Sequence, residues 1–263
     1  MSSVASMMAL TGSLRGEEAL AGAGAYLSIG SSGSALDCNL STGFSTNGMS
    51  IVVVVRPSSD TFQPFIYFED SGSLTTSQAF GVPNNNSRMG LFEADTSPTH
   101  GRTFNNSFTD TWVMVAASIN GAQYNNLSVL TVDGVTGQAG SGSGSGASNN
   151  VDDVSTFTVH LGSPNTSFAG SSNFDIAFAR IYNRNLTDAQ STRIWDHWAA
   201  NNAALYTENG QTSPTYTAGT VDYVTGLYAE WDFAKMASSS LQTTQGSAGT
   251  VTATLVGNAT FVP

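Results

Sequence analysis

The chain has 263 residues, with 8 Lys and Arg against 19 Asp and Glu, a formal net charge of -11, and 10% charged residues where globular chains hold about 25%. So acidic a chain repels phosphate backbones, which argues against nucleic acid as a partner. Cys38 is the only cysteine, which excludes an internal disulfide and CxxC metal sites, and no apolar run approaches the roughly 18 residues of a membrane span.

The opening MSSVASMMALTGSLRGEE has no basic start, and its apolar patch is cut short by Arg15, Glu17 and Glu18, so secretion by a standard signal is not expected. Residues 1–24 read as an N-terminal arm. From there, apolar residues recur with period two or in short runs, and Gly, Asn, Ser or Pro clusters punctuate them about every ten residues, the pattern of many short strands. Strands are predicted over 25–29, 49–56, 64–69, 88–94, 111–119, 127–133, 155–161, 173–182 and 227–233. The runs 51–55 and 112–117 do not alternate, so both of their faces must be covered, by a second layer, a chain tail or another subunit. In 155–161, Phe157, Val159 and Leu161 share one face while Thr156, Thr158 and His160 share the other, which reads as a wet side. Residues 137–147 (GQAGSGSGSGA) read as a flexible loop between strands.

One helix is predicted. Thr187 and Gln190 make a capping box, Ala189, Ile194, Trp195 and Trp198 follow near helical spacing, and Asn201 and Asn202 supply a stop. Its Arg193, Asp196 and His197 read as a solvated face.

Several segments together resemble the laminin-G-like group of concanavalin A-like lectin/glucanase domains. They are AYLSIG (25–30), MSIVVVVRP (49–57), TWVMVAASING (111–121), LSVLTVDG (127–134) and, most specifically, HLGSPNTSFAGSSNFDIAFARIYNRNLTDAQ (160–190). The resemblance covers about two-thirds of the chain. It implies an all-β fold, a two-sheet antiparallel jelly-roll sandwich with one short helix. GLYAEWDFAKM (226–236) and GTVTATLVGNATFVP (249–263) resemble the segment that commonly begins such domains, yet here they come last. The organisation read from this is a sandwich over 25–202 and a C-terminal extension over 203–263, whose strands complete the sandwich or pair with a neighbouring subunit.

Because the family includes glucanases, the carboxylates matter. Glu230 and Asp232 have the alternate-residue spacing of a retaining glycosidase pair, but Ala234 and Lys235 stand where the family's further Glu belongs. The two acids then read as the wet face of a strand whose Leu227, Ala229, Trp231 and Phe233 point inward. His100, His160 and His197 form no zinc motif, no GxSxG elbow is present, and Cys38 has no cationic neighbour in sequence to activate it. The resemblance makes calcium the one candidate ion, with Asp133, Asp152 and Asp153 as candidate oxygens. Tyr124, Tyr206, Tyr216 and Tyr223 are candidates for stacking on sugars, and the sequons at Asn126 and Asn185 are expected to stay bare. No catalytic, cofactor-binding or metal residue is assigned.

These readings point to a non-enzymatic structural or adhesion protein on the exterior of a virus particle, a bacteriophage capsid decoration or tail-associated protein. Its partners would be other virion subunits or copies of itself, with no membrane insertion. The alternative is a carbohydrate-binding module or lectin of a bacterial surface, recognising cell-surface glycans, and a glucanase comes third.

Overall fold

The computed structural model describes residues 24–41, 48–58, 63–70, 78–82, 88–93, 100–103, 109–119, 127–132, 137–139, 157–164, 173–202, 224–236 and 241–263. The strands are β1 (Tyr26–Ile29), β2 (Ala35–Ser41), β3 (Met49–Pro57), β4 (Gln63–Glu69), β5 (Gln78–Val82), β6 (Arg88–Glu93), β7 (His100–Thr103), β8 (Val113–Ile119), β9 (Leu127–Val132), β10 (Gly137–Ala139), β11 (Thr158–Gly162), β12 (Phe174–Tyr182), β13 (Leu227–Asp232), β14 (Thr254–Val256) and β15 (Ala259–Val262). One helix, α1 (Asp188–Asn201), lies between β12 and β13, and a 3₁₀ turn (Phe233–Lys235) follows β13.

Two antiparallel sheets form a β-sandwich. One runs β10-β9-β8-β3-β12-β1-β15, and the other β14-β2-β11-β4-β5-β6-β7. β12 carries two partners along one edge, since Phe174 to Ile176 pair with β1 and Phe178 to Tyr182 pair with β13. The chain end closes one side of the sandwich. β14 edges the second sheet on β2, a tight turn at Gly257 and Asn258 crosses over, and β15 edges the first sheet on β1.

The core lies between the sheets and includes Ile51, Val53, Val55, Ile176, Ala179, Ile181 and Trp231 from one sheet, and Leu36, Phe68, Val159 and Leu161 from the other. A second apolar layer covers the outer face of the first sheet, where Val52, Val54, Trp112, Met114, Phe178 and Tyr182 meet Ile194, Trp195 and Trp198 of α1. Every residue from Ile51 to Val55 is therefore buried, and the cover on the outer face is the helix.

α1 forms as its sequence dictates. The Thr187 side chain accepts from the Gln190 backbone, the Gln190 side chain accepts from the Thr187 backbone, and Asn202 caps the other end. Ala189, grouped with the apolar face in sequence, stays exposed. A closed ring of hydrogen bonds fixes where the helix begins. Leu186 N–H donates to Ser50 Oγ (2.9 Å), Ser50 Oγ lies 2.7 Å from Ser118 Oγ, and Ser118 donates to the Leu186 carbonyl (3.0 Å). Since the Ser118 proton is committed to that carbonyl, Ser50 is the donor between the two hydroxyls. Ser50 and Ser118 are register partners on β3 and β8.

β2, β5, β7 and β10 are strands that the sequence pattern did not reveal; most are short, and β7 and β10 are flanked by polar or Gly-rich segments, while β14 and β15 lie in the C-terminal extension, where the resemblance implied strands without giving their bounds. β10 corrects the reading of 137–147 as loop throughout, because pairing to β9 orders its first three residues. Residues 140–147, and the N-terminal arm up to residue 23, lie outside the described residues.

Candidate functional site

A β-bulge creates the site. Phe174 and Ile176 face the inter-sheet core, and strict alternation would send Phe178, Arg180 and Tyr182 there as well. The register shifts between Ile176 and Phe178, so Ala177 and Phe178 both join the outer layer. Ala179 and Ile181 then point inward, and Arg180 stands on the outer face beside α1. A second irregularity at Tyr228 offsets β13, which moves Leu227 to the outer layer while Ala229 and Trp231 remain inside.

Arg180 and Glu230 are register partners across β12 and β13. The Arg180 guanidinium donates from Nε to Glu230 Oε2 at 2.7 Å, its Nη2 lies 2.5 Å from the same oxygen, and Nη1 donates to the Tyr182 hydroxyl at 3.2 Å. It also stacks over the Phe178 ring, 4.6 Å from the centroid. Glu230 Oε1 accepts from Thr244 Oγ1 at 2.8 Å and lies 3.4 Å from Lys235 Nζ, which in turn sits 2.8 Å from Asp232 Oδ2. Burial alone would raise the Glu230 carboxyl. The Arg180 and Lys235 charges and the Thr244 hydrogen bond outweigh it and hold that carboxyl below its ordinary value.

The expectation of a wet strand face is thus corrected. Glu230 is 0% exposed and Asp232 7%. The cover is the segment after the 3₁₀ turn, which returns alongside β13. Glu230 N–H donates to the Gln245 carbonyl and Thr244 N–H to the Glu230 carbonyl, both at 2.8 Å. Gly246 permits that approach, with φ +130° and a Cβ position only 2.2 Å from the Tyr228 carbonyl oxygen.

Above the ion pair lies a cleft of about 320 Å³. Ile194, His197, Trp198, Asn201 and Asn202 of the helix and its cap form one wall. Phe178, Arg180, Asp232, Ala234, Lys235 and Gln245 form the other. Two features suit it to a polar ligand. Asp232 Oδ1 is buried and accepts no hydrogen bond, and Asn201 and Gln245 bring exposed amides to the rim. As a glycosidase pair the acids are compromised, because Glu230 is neutralised by Arg180 and Ala234 takes the place of a further carboxyl. His197, read as part of a solvated face, is half-buried here. Burial comes first, with Arg180 and Lys235 adding to it, in pushing its imidazole below the ordinary value.

The other sequence candidates stand elsewhere. His160 is 3% exposed, which corrects its assignment to a wet side. Its Nε2 lies 3.1 Å from Glu69 Oε2 and its Nδ1 3.6 Å from Asp37 Oδ1, so the carboxylates approach opposite ring nitrogens and share no point for a metal. Among the described residues no cluster of His, Cys, Asp and Glu suits a metal. Burial lowers the His160 pKa from 6.5, outweighing two carboxylates whose side chains are 40% exposed and screened by water. The unfolded chain then takes up a proton that the folded chain refuses. Stability contributed by His160 is full above pH 6.5 and falls as pH drops through the depressed folded value. Urea denaturation of wild type and His160→Gln between pH 7.5 and 5 is expected to show the gap between the two curves changing over that interval; a constant gap would refute it.

Cys38 is buried, and burial raises its thiol pKa, so it is poorly ionised. Asp133, Asp152, Asp153, Tyr124, Tyr206, Tyr216, Tyr223 and Asn126 lie outside the described residues, and His100 lies in β7.

No protein-family model matches the chain, and no curated protein matches it. Among solved structures it is similar to a mutant of Trypanosoma rangeli sialidase displaying trans-sialidase activity, with 14% identity and a TM-score of 0.39 over 64% of this chain and 24% of that one. It is similar to the native heptameric SAP-like pentraxin from Limulus polyphemus, with 10% identity and a TM-score of 0.39 over 67% and 78% of the two chains. It is also similar to domain 4 of a GH43 extracellular arabinanase from Geobacillus stearothermophilus in complex with arabinotriose, with 22% identity and a TM-score of 0.36 over 57% and 66%. The chain spans about a quarter of the sialidase chain's length and just under two-thirds of the arabinanase domain.

These likenesses concern the fold alone, and the sheets themselves show it to be a two-sheet antiparallel β-sandwich. They give no support to a link with phage. The expectation of a non-enzymatic protein is corrected, since the similar structures include a sialidase and an arabinanase and the fold is one that enzymes share.

Proposed function

We propose that the chain is a surface-recognition protein that holds a sugar residue in the cleft between α1 and β13. The observation that carries this reading is a buried carboxylate oxygen that accepts no hydrogen bond, on a residue that lines the cleft. Sugars present hydroxyl donors, and that acceptor answers them. At about 320 Å³ the cleft lies at the small end of ligand sites, which run from about 300 to 1,000 Å³, and suits one or two rings. An acidic chain with a single unreactive cysteine is compatible with a protein that folds in cytoplasm and works outside it. On that ground we keep the exterior of a virus particle as the proposed setting, with a bacterial surface as the other.

A glycan array probed with the full chain is the test. Saturable binding is expected, weakened about tenfold in the Asn201→Ala, Gln245→Ala double variant. Both residues are exposed at the cleft, and each lost hydrogen bond removes about 0.5–1.5 kcal/mol. A silent array, or binding indifferent to both changes, would end this reading. Reducing-sugar release, measured in parallel, reports whether bound glycans are cleaved.

A further inference from the structure

We infer that the cleft selects neutral sugars and rejects acidic ones, an inference that rests on the sugar-binding reading. Two independent features of the residues lead there, and the first is charge. The cleft and its floor hold two cations, Arg180 and Lys235, and two anions, Glu230 and Asp232. Arg180 is spent on Glu230 and the Tyr182 hydroxyl, and Lys235 lies between Glu230 and Asp232. His197, which also lines the cleft, is held neutral at pH 7 by burial and by those same two cations. No cation is left uncompensated to receive a ligand carboxylate. An anion entering would have to draw Lys235 away from Asp232 and Glu230, leaving those carboxylates less compensated, and like charges in a partly enclosed site repel.

The second feature is hydrogen-bond polarity. Asp232 offers a buried acceptor without a donor. Asn202 donates its Nδ2 to the Trp198 carbonyl at 2.9 Å, and Asn201 donates its Nδ2 to the His197 carbonyl at 2.7 Å. Each amide thereby commits one of its two N–H donors to the helix end. The Asp232 acceptor is one that a sugar hydroxyl satisfies as donor and an ionised carboxylate cannot. A neutral ring with a hydroxyl toward Asp232 meets that requirement.

The test titrates the full chain at pH 7 with a neutral panel (galactose, glucose, mannose, arabinose) and an acidic one (N-acetylneuraminic acid, glucuronic acid, galacturonic acid), read by calorimetry or Trp fluorescence. Wild type is expected to bind at least one neutral sugar at least tenfold more tightly than any acidic one. Asp232→Asn keeps the side chain's shape and leaves one cation in excess, so it is expected to weaken the neutral sugar and narrow or reverse the preference. Lys235→Gln, at a side chain 54% exposed and with its fold checked by circular dichroism, leaves one anion in excess and is expected to widen it. Acidic sugars binding wild type as tightly as neutral ones would overturn the inference while leaving sugar recognition intact. A preference unmoved by both charge changes would do the same. Absence of binding by either panel would overturn the sugar reading and this inference with it.

Discussion

Arg180→Met is expected to lower the unfolding free energy by about 3–5 kcal/mol at pH 7, measured by guanidinium denaturation. The side chains of Arg180 and Glu230 are 4% and 0% exposed. Removing the guanidinium strands a carboxylate in a place that burial alone would make unfavourable, with only Thr244 and Lys235 left to answer it. The loss carries a pH signature. Glu230 in the wild type is held below the ordinary value of 4.5, so its contribution is present above that value and lost as pH falls through the folded one. The gap between wild type and Arg180→Met should therefore be widest near neutrality and should narrow in acid. Replacing both partners, Arg180→Met with Glu230→Met, removes both desolvated charges and is expected to recover most of the loss. A single variant within about 1 kcal/mol of wild type would show that the pair does not hold β12 to β13 as argued.

The position of that pair explains what sequence could and could not reveal. The strand over 49–56 was legible from its run of β-branched residues and those over 173–182 and 227–233 from apolar residues recurring with period two, and the capping box at Thr187 and Gln190 made α1 legible. The face of each side chain was not. In FDIAFARIY (174–182) the alternation places Phe174, Ile176, Phe178, Arg180 and Tyr182 on one side, and nothing in the letters announces the bulge at Ala177 that divides them. One extra residue moves every following side chain to the opposite face, so an error of one position turns a core arginine into the floor of a cleft.

Glu230 and Asp232 illustrate the same limit from another direction. Acids alternating with apolar residues read as a strand with one wet side, and that inference is sound where one strand face meets water. Here the chain comes back over that face at Thr244 and Gln245, contacts more than a dozen residues away in sequence that no local pattern encodes. His160 repeats the lesson, as its alternation from Val159 and Leu161 was read correctly while its burial was not. The cleft was not visible in the sequence. His197 was read as part of a solvated face and Asn201 and Asn202 as a helix stop, and their meeting with Asp232 and Lys235 depends on where α1 docks.

That docking yields the second large effect. Trp195→Ala is expected to destabilise the protein by about 3–5 kcal/mol, the range for deleting a large buried aromatic. Trp195 is 0% exposed, and its ring centroid lies 5.4 Å from that of Trp198, which lies 6.4 Å from Trp112 on the sheet. These rings, with Ile194 and Ala199, press α1 onto Val52, Val54 and Met114. The remaining anchor at the helix start is the hydrogen-bond ring around Leu186, which fixes one end and leaves the other free to swing. Hydrogen exchange of Trp195→Ala should therefore show protection lost first along α1 and at its C-terminal cap, with the paired centres of β3 and β12 opening only at the new, lower global stability. Sugar binding should fall with it, since His197, Trp198, Asn201 and Asn202 all ride on that end of the helix. Arg193→Ala, on the exposed side of the same helix, is the control and should stay within about 0.5 kcal/mol of wild type. If Trp195→Ala costs less than about 1 kcal/mol and leaves α1 protected, the helix is held by something other than its apolar face, and the cleft loses the physical basis for its shape.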